Sequence, residues 1–223
     1  MPLRLTAKFF AREADVVARA LVGCTLVRVL DGVRLAGRIV ETEAYMGAAD
    51  RASHAFGNRR TPRTEPMFGP PGLSYVYFTY GMHFCMNVSC RATGDPSAVL
   101  LRALEPTEGL DLMRRVRGAA VANRDLCRGP ARLCKALAID ASMNAVDTLS
   151  SSLLWFEEKH EQPASAARVT ASPRVGLGSK AEPDGWISRH LRFCAEGSAF
   201  VSRTPAPNSA AAPAFPPGGR LKR

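Results

Sequence analysis

The sequence lacks several features that would place it in large functional classes. No apolar run approaches the roughly 18–20 residues a membrane-spanning helix requires, and the N-terminal stretch MPLRLTAKFFAREAD turns acidic before a signal-peptide hydrophobic region can form. A soluble, unexported, cytoplasmic protein is therefore expected. The six cysteines (Cys24, Cys85, Cys90, Cys127, Cys134, Cys194) contain no C-x-x-C pair and no histidine at zinc-site spacing, so reduced core thiols are expected, with no metal. The four histidines form no H-x-x-x-H pair. No G-x-G-x-x-G, P-loop or G-x-S-x-G run stands in a strand–turn–helix context, which removes nucleotide-cofactor, kinase and α/β-hydrolase readings. Acidic residues are also scarce: 20 against 30 basic ones give a net charge of +10, and none follows Glu196. All but five of the basic residues are arginine, the side chain best suited to planar, bidentate phosphate contacts. The balance fits a polyanion partner, although membrane surfaces and other acidic partners would produce it too.

The 223 residues, 46% hydrophobic and 22% charged, are enough to bury a core without covalent staples. Residues 1–203 read as one domain. The remainder, 204–223, is mostly Pro, Ala and Gly and reads as a disordered basic tail. The spacing of Ala14, Val17, Ala18 and Leu21 predicts a helix over 11–22 ended by Gly23. Two β-rich runs, 24–30 and 33–45, flank Asp31-Gly32 and form a hairpin. A second hairpin spans 74–90 with its turn at Tyr80-Gly81. Residues 97–104 are a short strand, Thr107 caps a helix running to Gly118, and Gly129-Pro130 opens a further helix, ARLCKALAI. SSLLWFEE and LRFCAEGSAFVS are strand candidates, separated by an irregular stretch, 159–186. Strands mixed with helices, without strict βαβ alternation, predict an α+β fold on a largely antiparallel sheet.

In RIVETEAYMG (38–47), Glu41 and Glu43 stand at i and i+2 and so share one face of a strand. A solvated strand edge would account for such a pair. With Tyr45 two residues on and the loop continuing to His54, one carboxylate could instead sit among rings as an acid or base of shifted pKa. In the 74–90 hairpin, Tyr75, Tyr77 and Thr79 share one face, and Val76, Phe78 and Tyr80 the other. Tyr75 and Phe78 are expected in the core. Tyr80, at the tip, has little core to reach and suits a wedge between bases. Asn87, in the apolar run FCMNVS, needs its amide satisfied if buried, or else serves as a specificity contact. Arg102, inside AVLLRALEP, requires a partner such as Glu41 or Glu43, in a pair that is structural or functional. The basic runs RRTPR (59–63), RRVR (114–117) and RGPAR (128–132) are candidate phosphate contacts.

Taken together, RIVETEAYMG, the TPR and MFGPPGLSYVYFTYGMHFCMNVS runs, VLLRALEPTEG and DLCRGPARLCKALAI resemble the alkyladenine (3-methyladenine) DNA glycosylase family, in the same order over roughly residues 5–203. The resemblance implies a single mixed domain with a curved, largely antiparallel sheet, flanking helices and a protruding hairpin that enters the minor groove. The implied partner is duplex DNA containing damaged purines, with no cofactor, no obligate protein partner and a monomeric state. By resemblance, Glu43 is the base that activates water, and Arg102 and the Val175 carbonyl help to hold that water. Tyr45, His54 and Tyr77 enclose the flipped purine, and Asn87 disfavours guanine. Tyr80 fills the vacated space, flanked by Met82. Departures are local: His83 stands where vertebrate members carry tyrosine, and the 90–98 loop is slightly longer. A catalytically inactive nucleic-acid-binding module on the same fold is the alternative. Such a module has no reason to keep Glu43, Tyr45, His54, Tyr77 and Arg102 together.

Overall fold

The computed structural model describes residues 3–159, 168–177 and 185–204. After a helical turn, α1 (Ala7–Phe10), the amphipathic helix α2 (Ala14–Leu21) buries Ala14, Val17, Ala18 and Leu21 on one stripe, as their spacing requires. It is shorter than 11–22 and hands over to the sheet at Gly23, whose φ of 96° favours glycine. Strands β1 (Thr25–Leu30) and β2 (Val33–Tyr45) then pair antiparallel. Their turn places Asp31 and Gly32 at φ 49° and 76°, the signs a two-residue type I′ turn needs.

The second hairpin is β3 (Ser74–Thr79) and β4 (His83–Ser89), followed by β5 (Ala98–Glu108). Three helices come next, α3 (Leu110–Arg117), α4 (Asn123–Leu126) and α5 (Pro130–Ala136). Strands β6 (Leu154–Glu157), β7 (Val169–Ser172) and β8 (Arg192–Ala195) complete the elements. The strands form one eight-stranded antiparallel sheet ordered β3-β4-β5-β2-β1-β6. Strand β2 is its spine. It pairs with β5 along most of one edge, while its other edge is shared, first by β1 and then, over Glu41–Glu43, by β8, which also pairs with β7. The α+β fold class with a single mixed domain is what the sequence pattern predicted.

Three further boundaries differ from the sequence-based expectation. Residues 105–108 continue β5 instead of opening a helix at Thr107, because Ala36 still pairs with Glu108. The chain leaves the sheet at Gly109, where φ is 73° and a Cβ would stand 2.3 Å from Leu35 Cδ2, so only glycine makes that exit. Helix α5 ends at Ala136, with Ala138 at φ 48°, instead of continuing to Ile139. Within the stretch 159–186, read as irregular, Val169–Ser172 forms β7, a four-residue strand too short to show alternation. The tail from 205 onward lies outside the described residues.

The main core lies between helix α2 and the face of β2 that carries Val40, Thr42 and Ala44. There Thr42 donates to the Ala18 carbonyl at 2.8 Å. Phe10, Leu21, Leu26, Leu35, Ile39, Leu101 and Leu104 are fully buried. All six cysteines are buried and free. Among the described residues, no helix is long and apolar enough to cross a membrane, and no cluster of three His, Cys, Asp or Glu could hold a metal ion.

Candidate active site

Sheet register assembles the site. Glu43 pairs with Leu100, Leu100 with Asn87, and Asn87 with Tyr75, one row crossing β2, β5, β4 and β3. Directly opposed residues of an antiparallel sheet point to the same face. So do residues two apart along a strand, which adds Tyr45, Arg102, Ala98 and Tyr77. Residues separated by up to 59 positions in the chain thus come onto one surface. A wide loop, 46–73, folds over it and contributes Ser53, His54 and Met67.

The outer part is a hollow of about 330 Å³, open to solvent and lined by Tyr45, Ser53, His54, Tyr75, Tyr77 and Asn87, with Ala52, Met67 and Ala98. Its walls are rings. His54 stands edge-on to Tyr77, centroids 4.6 Å apart, and Tyr75 and Tyr77 tilt against each other at 5.3 Å. His54 Nδ1 lies 2.9 Å from the Tyr75 hydroxyl. Burial, reinforced by the Arg63 guanidinium, holds the His54 pKa below that of an ordinary imidazole, so the ring is neutral at pH 7. Burial likewise raises the Tyr45 and Tyr77 phenols, keeping both uncharged. Asn87 is buried, and its amide donates to the Tyr75 carbonyl at 3.1 Å, which orients the side chain on the hollow's wall.

Beneath that wall lies an ionic layer. Glu41 and Glu43 are both 0% exposed, which overturns the solvated-edge alternative. Arg102, from β5, reaches both: Nε to Glu41 Oε1 at 2.7 Å and Nη1 to Glu43 Oε1 at 3.1 Å. Glu41 is further neutralised by Arg192 Nε at 2.7 Å and accepts from the Ser202 backbone N–H at 2.6 Å and hydroxyl at 2.9 Å. Glu43 Oε1 also accepts from the Val175 N–H at 2.7 Å, and Oε2 from the Tyr45 hydroxyl at 3.1 Å. Neither Glu43 nor Arg102 lines the hollow; Tyr45 does, and it connects the two layers.

The two carboxylates are pushed apart. Burial alone would raise Glu41, but Arg102, Arg192 and the Ser202 N–H hold it below the ordinary carboxylate value. For Glu43, burial wins over Arg102 and the Val175 N–H, and its pKa is raised. Adjacent acids with opposed shifts suit different tasks, one fixed as a counter-ion and the other able to take up a proton. Oε1 of Glu43 accepts the Val175 N–H and faces the Arg102 Nη1 charge, whereas Oε2 accepts from the Tyr45 hydroxyl.

At the free end of β3 and β4, Tyr80 and Gly81 form the turn with φ 52° and 66°, where the sequence places it. Tyr80 is 82% and Met82 67% exposed. Phe78, expected in the core, is 49% exposed and packs on Phe84, centroids 5.0 Å apart. The strand face opposite Tyr77 has run out of protein to cover it there. The basic runs are partly spent internally. Arg60 pairs with Glu65, Arg114 with Asp111, and Arg128 donates to the Val201 carbonyl. Arg63 lies over the Tyr77 ring at 5.2 Å and donates to the Phe78 carbonyl, which ties the loop to the hairpin.

Sequence reasoning did not find Asp50, Arg174, Arg192 or Ser202. Asp50 and Arg174 form a fully buried bidentate pair beside Tyr45 and Val175. The signal for Arg174 was present: a charged residue immediately before Val175 in an apolar RVG run.

The family model described as methylpurine-DNA glycosylase matches residues 8–199. The chain belongs to the methylpurine-DNA glycosylase family. A DNA-3-methyladenine glycosylase of Mus musculus is 47% identical over 208 residues, 89% of this chain. The Homo sapiens protein of the same name is 46% identical over the same share. The chain spans 61% of the mouse protein and 68% of the human one. It spans 99% of a Clostridium botulinum relative, provisionally named 3-methyladenine DNA glycosylase, at 40% identity. Within the methylpurine-DNA glycosylase family, identity at this level over nearly the whole fold fits the resemblance read from the motifs.

Proposed function

We propose that the protein is a monofunctional DNA glycosylase. It flips alkylated or deaminated purines, of the 3-methyladenine, hypoxanthine and ethenoadenine class, out of duplex DNA and hydrolyses the N-glycosidic bond. The observation that carries this reading is a desolvated carboxylate, Glu43, one hydrogen bond behind a ring-walled hollow beside an exposed aromatic tip. A base in the hollow would stack against Tyr45 and Tyr77 and meet the neutral His54. If the Tyr75 hydroxyl donates to Nδ1, the proton of His54 is on Nε2, free to donate to a purine acceptor.

Departure of the base leaves oxocarbenium-like charge on the sugar. Ionised Glu43 stabilises that charge and accepts a proton from the attacking water through the unused lone pair of Oε2. Arg102 keeps the carboxylate ionised in a buried setting, and the raised pKa makes it a stronger base than an exposed glutamate. The Val175 carbonyl is a further contact for the water. Extruding a nucleotide costs roughly a few kcal/mol in lost stacking, least for damaged or mispaired bases. Tyr80, inserted where the nucleotide was, offsets part of that cost, with Met82 beside it. Asn87, on the wall, reads the purine edge and rejects the exocyclic amino group of guanine.

The direct test is incubation with duplexes containing hypoxanthine, ethenoadenine or 3-methyladenine, followed by alkaline cleavage of abasic sites. Strand breaks at the lesion and none in undamaged duplex are expected; intact strands with all three lesions would overturn the reading. If about six or more phosphates are contacted, affinity should fall by about 10³-fold or more between 50 and 200 mM salt. A flat response in a fluorescence-anisotropy titration would count against duplex binding.

Tyr80 supplies a further expectation. A tyrosine in the left-handed region costs about 1–2 kcal/mol that asparagine largely avoids. Tyr80→Asn should therefore leave the melting temperature unchanged or raised while weakening binding to abasic duplex about tenfold. Unaltered abasic-site affinity would remove Tyr80 from the wedge role.

A further inference from the structure

The buried pair Asp50–Arg174 lies outside the hollow's lining and makes no hydrogen bond to Glu43, yet it holds the segments that carry Tyr45 and Val175. Arg174 Nη1 and Nη2 meet the two Asp50 carboxylate oxygens at 2.5 and 3.0 Å, and both side chains have no exposure. Nη1 also donates to the Ala44 carbonyl at 3.0 Å, the residue between Glu43 and Tyr45, and Nη2 to the Trp186 carbonyl at 3.3 Å. The guanidinium carbon lies 4.7 Å from the centre of the Tyr45 ring. Asp50 in turn caps its own loop, accepting from the Met46 and Ala52 N–H groups at 3.0 Å each. One planar cation thus joins the end of β2, the loop that carries His54, and the segment after β7. Val175, the next residue, aims its N–H at Glu43 from 2.7 Å.

From these contacts we infer that Asp50 and Arg174 are positioning residues of the candidate active site, fixing the Val175 N–H and the Tyr45 ring against the two oxygens of Glu43. The inference rests on the glycosylase reading for its catalytic consequence, though not for its effect on Glu43. A pair kept only for stability would not need planarity: replacement of a buried ion pair by apolar residues is often neutral. Three separate acceptor groups shared between Nη1 and Nη2, however, match the guanidinium fork, which a lysine cannot reproduce.

Arg174→Lys keeps the charge and one contact to Asp50 but releases the rest. The Val175 N–H then loses its aim, and Glu43 loses a donor to its charged form, which moves its titration to higher pH. The other groups around Glu43 stay in place: Arg102 from β5, Arg192 and Cys194 from β8, Cys85 from β4, and Glu41 and Tyr45 on its own strand. The experiment follows the Glu43 carboxyl by 13C NMR in the wild type, Arg174→Lys and Asp50→Asn, alongside single-turnover excision of hypoxanthine. Expected are an upward displacement of the Glu43 midpoint and a rate lowered about 10²-fold, the scale of a roughly 1 Å misplacement, with abasic-duplex affinity held. Folded variants with an unmoved Glu43 midpoint would overturn the proposal, and so would failure of both variants to fold, which assigns the pair to stability. A wild type that titrates as described but excises nothing would sink the glycosylase reading and leave the positioning role standing.

Discussion

Glu43→Gln should abolish measurable turnover, lowering single-turnover excision by about 10²–10⁴-fold, the range carried by a positioned general base. Glutamine keeps an oxygen for Arg102 and the Val175 N–H, so the loss reports chemistry and not architecture. Stability should move the other way. Because the folded pKa of Glu43 lies above its unfolded value, the folded state favours the protonated form. That contribution is fully present below the unfolded pKa and is lost as pH rises through the folded one. At pH 7–8 the ionised side chain is therefore a cost that glutamine removes, and Glu43→Gln should melt at or above the wild-type temperature. In the wild type, the rate should fall on acidification at a pH above the ordinary carboxylate midpoint of 4.5, as Glu43 takes up its proton. Normal turnover by a folded Glu43→Gln protein would end the proposed mechanism.

Glu41→Ala should instead unfold the protein more readily, by about 3–5 kcal/mol, the usual loss when one partner of a buried ion pair is removed. Arg192 Nε and the Ser202 N–H lose their acceptor, and of its two carboxylates Arg102 retains Glu43 alone. Against a total of about 5–15 kcal/mol this is a large share. It corresponds to roughly 6–20 °C in melting temperature for a chain of this size. The pH dependence is opposite to that of Glu43. With its folded pKa depressed, Glu41 contributes stability above the unfolded value, and that contribution disappears as pH falls through the folded one, below 4.5. Urea titrations at pH 7 and near pH 4 measure both effects. A loss under about 1 kcal/mol at pH 7 would show that the network carries little stability. The two adjacent glutamates thus make a matched comparison, one substitution removing chemistry and the other removing the fold.

Much of the site was legible because its pattern is local. Alternation alone puts Glu41 and Glu43 on one face, Gly81 beside Tyr80 marks the turn of the second hairpin, and a lone arginine in the apolar run of β5 demands a partner such as a carboxylate. Phe78 was misread because aromatic alternation does not reveal where a hairpin outruns the body of the protein. The helix expected from Thr107 failed for a related reason. Capping residues are a weak local preference, and pairing with β2 as far as Glu108 overrode it. Short β7 carried too few residues for any period to be read.

The sequence by itself determined the α+β class, both hairpins, the exposed tip and the acids and rings from which the site is built, because these follow from side-chain periodicity over a few residues. Only the tertiary structure decided which acid would have its pKa depressed and which raised. That choice depends on partners 132 positions away for Val175 and 161 for Ser202, brought in by sheet register and chain closure. Electrostatics in a buried layer is set by distance in space, and a pattern of neighbours along the chain contains no measure of it.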